Sequence, residues 1–230
     1  MRFLRDFVEL FFPRVCSICG TPLVGDEHEI CSGCLLDLPI ITTATGEENL
    51  VERRYRGRVP VNAATSLLLF SQGGKTQKIL HQIKYRGDER LALAMGRQLG
   101  LQLAQNELFE TIDLMVPVPL FRRREKRRGY NQSLLLCKGI QQTFPRPIEN
   151  GNLIRSHHTD SQTHKTRLQR MENMKDVFQL QYPERLQGKH ILLVDDVITT
   201  GATTEACWHA MQKVPGLRLS VASLAITGDF

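Results

Sequence analysis

The sequence has no long apolar run. Nowhere in its 230 residues does an uninterrupted hydrophobic stretch approach the ~18 residues that a membrane-spanning helix needs, which excludes such a helix. It also has no internal repeat and no low-complexity segment, which excludes repeat architectures and composition-driven disorder. The segment Met1–Pro13 is apolar, but Asp6 and Glu9 interrupt it and no small-residue cleavage site follows. We therefore expect an amphipathic helix here rather than a signal peptide, and a cytoplasmic protein.

Composition and charge are those of an ordinary globular protein, with 41% hydrophobic and 23% charged residues. The length suits one α/β domain with a small appendage. The net charge of +6 favours an anionic partner. Charge alone does not distinguish a phosphorylated small molecule from a nucleic acid.

Four of the six cysteines form two closely spaced pairs, Cys16 with Cys19 and Cys31 with Cys34. Two thiolates two residues apart can bind one metal ion from a tight turn, and a second such pair completes a tetrahedron. Disulfides are disfavoured in a reducing compartment. An iron–sulfur cluster is an alternative that four cysteines also allow. The spacing favours zinc, and we predict a structural zinc site.

From Val59 onward, strand-like segments alternate with helical ones. Strands are predicted at 63–70, 112–120, 191–195 and 217–226, and helices at 75–85, 91–105, 131–144 and 203–214. This alternation is typical of βαβ units around a mainly parallel sheet. We predict an N-terminal helix and zinc element over 1–41, a linker over 42–58, and an α/β domain over 59–230.

The segment ILLVDDVITTGAT, residues 191–203, ends an apolar strand in two adjacent carboxylates, Asp195 and Asp196. Carboxylates at the end of a buried strand are costly unless something pairs with them. The Thr/Gly-rich turn that follows leads into a helix N-terminus, where backbone N–H groups favour a phosphate. Its residues are Thr199, Thr200, Gly201, Ala202 and Thr203. A sugar phosphate would satisfy both parts, with Mg²⁺ offsetting the remaining charge.

Two alternatives compete with this interpretation. The turn could be an ordinary threonine-capped helix start with solvated acids. The chain could also be a nucleoside triphosphatase, because LFSQGGKT, Leu69 to Thr76, ends in the G-K-T of a P-loop. That pattern requires glycine where Leu69 stands, which disfavours a triphosphatase.

The segment 191–203 resembles, over its whole length, the 5-phosphoribosyl-1-pyrophosphate (PRPP) binding motif of type I phosphoribosyltransferases. The wider arrangement is similar to the ComF family of competence-associated proteins. The residues that carry this similarity are the four cysteines, KYRGD (84–88), VPVPL (116–120), RGYNQS (128–133), and the spaced set Arg155, Thr159, Gln162, Arg170, Asn173 and Phe178.

The resemblance implies a type I phosphoribosyltransferase-like parallel sheet flanked by helices, and binding of PRPP with Mg²⁺. It implies transfer of a phosphoribosyl group to an acceptor that the sequence does not identify. Asp195 and Asp196 would contact the ribose hydroxyls as the catalytic acids, and Thr199 to Thr203 would hold the 5′-phosphate. The candidates for pyrophosphate contacts are Arg122 and Arg123, together with Lys165, Arg167 and Arg170 of a basic lid.

The resemblance also links the chain to DNA uptake and natural transformation, which gives a second hypothesis. The run Arg122–Arg128 holds six cationic residues and one glutamate. A single-stranded DNA-binding competence factor could use this run, with a regulatory or non-catalytic PRPP site and other competence proteins as partners. The candidate DNA contacts are Arg124, Lys126, Arg127, Arg128 and the stacking aromatic Tyr130. A solvated loop is the alternative for the same run.

Overall fold

The fold is described from a computed structural model over residues 13–41, 49–155 and 177–228. The strands are β1 Val61–Phe70, β2 Leu114–Pro117, β3 Leu153–Arg155, β4 Phe178–Leu180, β5 His190–Ile198 and β6 Arg218–Thr227. The α-helices are α1 Ser32–Leu36, α2 Leu50–Arg53, α3 Lys75–His81, α4 Glu89–Ala104, α5 Arg122–Arg128, α6 Gln132–Gln141 and α7 Ala202–Met211. A π-helical turn spans Gln82–Arg86, and 3-10 turns span Glu107–Phe109 and Pro183–Leu186. The predicted N-terminal amphipathic helix lies outside the described residues.

The central sheet has the strand order β1-β6-β5-β2, and its neighbouring strands are parallel. The long strand β5 is central and buried along nearly its whole length, as expected for a strand covered on both faces. Strands β3 and β4 form a separate antiparallel pair. The predicted parallel sheet flanked by helices is confirmed, and the β3–β4 pair is an addition that the sequence pattern did not indicate.

Successive residues of β5 belong to two different cores. Leu192 and Val194 pack with α4 and α6, whereas Ile191 and Leu193 pack with α2, α7 and the β3–β4 pair. This division follows from the two-residue period of a strand, whose side chains alternate between faces. Adjacent side chains at the end of β5 therefore start from opposite faces of the sheet.

Helices α4 and α6 approach each other closely through glycines. A Cβ atom on Gly96 would lie 2.5 Å from the Leu136 carbonyl oxygen, and one on Gly139 would lie 2.3 Å from the Leu93 carbonyl oxygen. Larger residues would force the helices apart. The contact fixes α6, whose first turn reaches the carboxyl edge of the sheet beside β5.

The cysteine-containing segment packs directly on the sheet domain. Cys16, Ile18 and Cys34 belong to the same core as α4 and α6. Residues 39–41 run antiparallel to β1, with hydrogen bonds from Leu69 N–H to the Pro39 carbonyl and from Ile41 N–H to the Leu67 carbonyl, both 2.9 Å. In the part of the chain described, no helix is both long enough and apolar enough to cross a bilayer.

Candidate active site and metal centre

The two acids lie near the carboxyl end of β5, which continues past them to Ile198, and Asp195 and Asp196 are only 9% and 5% exposed. Lys84 Nζ lies 3.0 Å from Asp196 Oδ1, and the Gln132 side-chain amide donates to Asp196 Oδ2. Asp195 Oδ1 accepts the backbone N–H of Asp196 at 2.8 Å. The sequence required a partner for these acids, and the structure brings Lys84 and Gln132 to Asp196. Neither residue was selected from the sequence, although both lie in the motifs KYRGD and RGYNQS.

The environment of Asp195 favours its neutral form. Burial and then the charge on Asp196 raise the pKa of Asp195 to about 7, against the smaller opposing effects of the Asp196 N–H and the Lys84 ammonium. Carboxyl groups whose pKa is raised by burial and by a neighbouring charge are common at functional sites. The acid pair can therefore hold a ligand hydroxyl with either one or two negative charges.

The turn after β5 leaves backbone donors at the surface. Gly201 has φ +80°, a left-handed conformation that favours glycine, and it begins α7 without a side-chain cap. Thr199, Thr200, Ala202 and Thr203 are exposed. The Ala202 N–H makes only a long 3.4 Å contact with Thr200 Oγ1. An anion at this helix start would find uncapped N–H groups and threonine hydroxyls on one side.

Part of the predicted linker holds this turn in place. The buried Tyr55 hydroxyl lies 3.1 Å from Thr204 Oγ1, and a Cβ atom added to Gly201 would lie 2.9 Å from Tyr55 Cε1. Arg58 Nη2 donates to the Thr200 carbonyl at 2.8 Å, and Arg58 Nη1 lies 3.3 Å from Glu205 Oε2. Neither side chain is predictable from the sequence, because a polar segment of mixed charge carries no periodic signal.

Arg155, the last residue of β3, lies near Asp195. Its guanidinium carbon lies 3.6 Å from the ring centroid of Phe121 and 5.2 Å from that of Phe178. Burial lowers the pKa of Arg155, while the negative charge of Asp195 acts in the opposite direction. Within the described residues the buried Arg155 Nε has no hydrogen-bond acceptor. Arg155 and Phe178 belong to the spaced set quoted above, whose other members lie outside the described residues.

The basic run Arg122–Arg128 forms helix α5 rather than a loop, and it ends at Gly129 with φ +84°. Its residues from Arg122 to Arg127 are exposed, including the candidates Arg123, Arg124 and Lys126. Within the described residues neither Arg122 nor Arg123 forms an ion pair, so the structure does not connect them to the acid pair. The lid candidates Lys165, Arg167 and Arg170 lie outside the described residues.

The aromatic side chains beside α5 differ in accessibility. The Tyr130 hydroxyl donates to the Ile83 carbonyl, and its half-buried ring packs against the core. Tyr85 is 64% exposed, and the Arg128 guanidinium lies 5.6 Å from its ring centroid. The exposed aromatic side chain on this surface is therefore that of Tyr85. Because Tyr85 is not adjacent to the basic run in sequence, the sequence alone does not single it out.

The four paired cysteines converge on one point. The Sγ atoms of Cys16, Cys19, Cys31 and Cys34 all lie within 4.8 Å of one another, and all four are free of disulfides. The Cys19 and Cys31 sulfurs are 3.7 Å apart. Tetrahedral ligation with metal–sulfur bonds of ~2.3 Å places sulfurs about 3.8 Å apart. The four thiols therefore fit a single tetrahedral metal ion.

The loop between Cys16 and Cys19 is hydrogen-bonded to the turn that carries Lys84 and to the residue Asp88 after it. Ser17 Oγ donates to Asp88 Oδ2 at 2.7 Å, and the Gln82 side-chain amide donates to the Ser17 carbonyl at 3.2 Å. Asp88 in turn caps α4 by accepting the Leu91 N–H at 2.9 Å. The loop that carries Cys16 and Cys19 therefore contacts Gln82 at the start of the π-helical turn and Asp88 just after its end.

The P-loop alternative is not supported by the contacts of its own residues. Lys75 Nζ lies 2.6 Å from Asp37 Oδ2, and the buried Thr76 hydroxyl donates to the Leu69 carbonyl at 2.8 Å. A P-loop directs its lysine and threonine to phosphates and a metal ion. Here both side chains make structural contacts near the cysteine element.

Relatives of this chain include a DNA utilization protein and a competence protein. No family model matches the sequence. The chain is 34% identical over 203 residues to the DNA utilization protein YhgH of Escherichia coli, an alignment that covers 84% of this chain and 88% of that protein. It is 34% identical over 151 residues to competence protein F of Haemophilus influenzae, covering 64% of this chain and 66% of that one.

Among solved structures, the glutamine phosphoribosylpyrophosphate amidotransferase of B. subtilis aligns with a TM-score of 0.41 and 19% identity. The alignment covers 57% of this chain and 26% of the amidotransferase, so this chain matches about a quarter of that enzyme's length.

Proposed function

This chain belongs to the family of the DNA utilization protein YhgH and competence protein F, and on that premise we propose that it binds PRPP with Mg²⁺ and acts in DNA uptake. In this proposal Asp195 and Asp196 hold the ribose hydroxyls, and residues Thr199 to Thr203 hold the 5′-phosphate. The observation that carries the proposal is one short stretch of chain that places two buried acids beside an uncapped helix start.

The two halves of this site suit the two halves of one ligand. Carboxylates accept hydrogen bonds from sugar hydroxyls, and uncapped N–H groups donate to a phosphate. The distance between them is short, because Asp196 is followed by only two residues before Thr199. A pentose that carries a 5′-phosphate is small enough to span both.

Magnesium fits the donor set of the acid pair, since it prefers carboxylate oxygens. Asp195 and Asp196 would hold it, and it would neutralise part of the pyrophosphate charge when bound. We propose zinc for the four-cysteine centre, because closed sites of four thiolates are generally structural. The reaction that we propose is pentosyl transfer, in which the acids stabilise positive charge that develops on the ribose.

Thermal stability with and without ligand tests the proposal. PRPP with MgCl₂ at about 100 times its dissociation constant should stabilise the wild type by about 2.7 kcal/mol, or raise its Tm by roughly 5–10 °C. The Asp195→Ala/Asp196→Ala double variant should lose this response. Asp26→Ala, which removes an exposed acid of the cysteine element, should keep it. A wild type whose Tm is unchanged by PRPP would contradict the assignment.

The second candidate function is binding of single-stranded DNA, and the surface around α5 favours it. Six cationic residues lie on one short exposed helix beside the exposed ring of Tyr85. Phosphate contacts from such a helix would make binding steeply salt-dependent, and an aromatic ring would add base stacking. In this version the PRPP site is regulatory, and other competence proteins are partners.

Titration of a fluorescent single-stranded oligonucleotide at several salt concentrations tests this second function. We expect Arg124→Glu/Lys126→Glu to weaken binding and reduce the salt dependence by about two phosphate contacts. Tyr85→Ala should weaken binding by about 1–3 kcal/mol with an unchanged salt dependence. Binding that does not respond to salt would exclude DNA as a partner of this surface.

A further inference from the structure

Lys84 forms an ion pair with Asp196, and its position is fixed from several sides. It lies in the π-helical turn Gln82–Arg86, which ends at Gly87 with φ +75°. The neighbouring Ile83 is fully buried, and its carbonyl accepts the hydroxyl of Tyr130. Single π-helical turns occur preferentially at functional sites, because their wider backbone redirects a side chain. Here the redirected side chain is the lysine that reaches Asp196.

The contacts of Asp196 use both of its carboxylate oxygens. Lys84 Nζ lies 3.0 Å from Oδ1, and the Gln132 amide donates to Oδ2. The side chain of Asp196 is 7% exposed, whereas that of Lys84 is 19% exposed. The ammonium therefore lies between a buried carboxylate and the open side of the site. Asp195 Oδ1 accepts the backbone N–H of Asp196 at 2.8 Å, and Lys84 and Ser133 also favour the charged form of Asp195.

A divalent cation on Asp196 would have to share Oδ1 with this ammonium. Two cations within about 4 Å repel strongly in a site of low dielectric constant. Displacing the ammonium costs less when it gains another anionic partner, because the ion pair with the buried Asp196 carboxylate is lost. The phosphate groups of an incoming ligand are such a partner.

We propose that Lys84 is the resident cation of the acid pair: it neutralises Asp196 in the free protein and prevents a divalent cation from binding there ahead of a phosphate-bearing ligand. The identity of that ligand rests on the proposed function. The role of Lys84 toward the metal does not. Lys84 then turns to the ligand's phosphates when the metal enters. We therefore predict that the metal binds together with the ligand and not before it.

Binding of Mn²⁺ alone, followed by electron paramagnetic resonance on the purified full-length protein at pH 8, tests the proposal. Mn²⁺ prefers oxygen ligands and leaves the four-thiolate centre to softer metals. We expect Lys84→Met to bind Mn²⁺ at least about tenfold more tightly than the wild type, because the competing charge is gone. Lys84→Gln should show the same gain, and Lys84→Arg, which keeps the charge, should behave like the wild type.

Two further variants identify the site of the gain. Lys84→Met/Asp196→Asn should lose it, and so should Lys84→Met in the Asp195→Ala/Asp196→Ala background. Equal Mn²⁺ affinity of the wild type, Lys84→Met and Lys84→Gln, within about twofold, would overturn the proposal. So would a Lys84→Arg variant that binds Mn²⁺ as tightly as Lys84→Met.

Adding PRPP to the same titration separates this inference from the proposed function. In the wild type, PRPP should raise Mn²⁺ affinity strongly, and in Lys84→Met the rise should be smaller because Mn²⁺ already binds. A wild type that shows no effect of PRPP would contradict the proposed function. The Mn²⁺ affinities of the wild type and Lys84→Met without PRPP would then still decide whether Lys84 keeps the metal off the acid pair.

Discussion

Replacing Asp195 with asparagine should make the protein more stable, and increasingly so as the pH rises. Burial and the charge on Asp196 raise the pKa of Asp195 from its ordinary value of 3.8 to about 7. The folded state therefore holds a proton that the unfolded state has released between these two values. Unfolding free energy falls as pH rises through this window, since the unfolded chain binds fewer protons there.

The magnitude follows from the size of the window. A difference of roughly three pH units corresponds to about 4 kcal/mol, reached in full above pH 7 and absent below pH 4. The introduced asparagine would carry no charge, and its side-chain oxygen can still accept the Asp196 N–H. Asp195→Asn should therefore be more stable than the wild type by on the order of 4 kcal/mol at pH 8 and about 2 kcal/mol at pH 5.

Urea unfolding followed by the fluorescence of the single tryptophan, Trp208 on α7, measures this difference. The groups around Asp195 that modify the effect include Asp196, Lys84, Ser133, Arg155, Tyr55 and Cys207. Asp37→Asn is the control, because the hydrogen bond to Lys75 lowers the pKa of that exposed acid, and its loss should have a small effect of opposite sign. A stability difference for Asp195→Asn that does not grow between pH 5 and pH 8 would refute the reasoning.

Three other predictions follow from single contacts. Gly201→Ala should cost about 1–3 kcal/mol in thermal unfolding and abolish the response to PRPP, because it combines a positive φ with a 2.9 Å approach to Tyr55 Cε1. Gly129→Ala, with φ +84° and nothing within 4 Å of its Cβ, is the matched control, and equal effects of the two would contradict the packing argument. Tyr55→Phe should cost about 1–2 kcal/mol in urea unfolding, because it leaves the buried Thr204 hydroxyl without its partner; an unchanged midpoint would exclude a stabilising role for this bond. Cys31→Ser should lower the zinc content measured by mass spectrometry from one ion per chain to near zero. It should also weaken PRPP binding, because the cysteine loop contacts the π-helical turn that carries Lys84. Iron in the wild type would contradict the zinc assignment.

Local patterns were sufficient wherever one segment carries the whole signal. The pairs Cys16–Cys19 and Cys31–Cys34 were identified from spacing alone, and their four sulfurs do converge. The apolar run before Asp195 and Asp196 was identified as a strand, and it forms the buried strand β5, which extends past the acids to Ile198. In each case the residues are close in sequence, so their geometry depends on one turn or one strand.

Contacts between distant segments were not predictable in the same way. Lys84 and Gln132 meet Asp196 across separations of more than 60 residues, and Tyr55 meets Thr204 across 149. Such pairs form because helix packing and strand order bring them together, and periodicity within one segment contains no information about either. Tyr130 shows the converse, because the basic run lies next to it in sequence but its half-buried ring packs against the core.

The sequence by itself determined the class of the fold, the four thiols of the candidate metal centre, and the acids and turn that form the candidate ligand site. It could do so because those features depend on residue type and short spacing. Only the tertiary structure decided which cation neutralises Asp196, which segment fixes Gly201, and which aromatic beside α5 is exposed. These depend on the parallel order β1-β6-β5-β2 and on the close crossing of α4 and α6, which bring separate segments to one edge of the sheet.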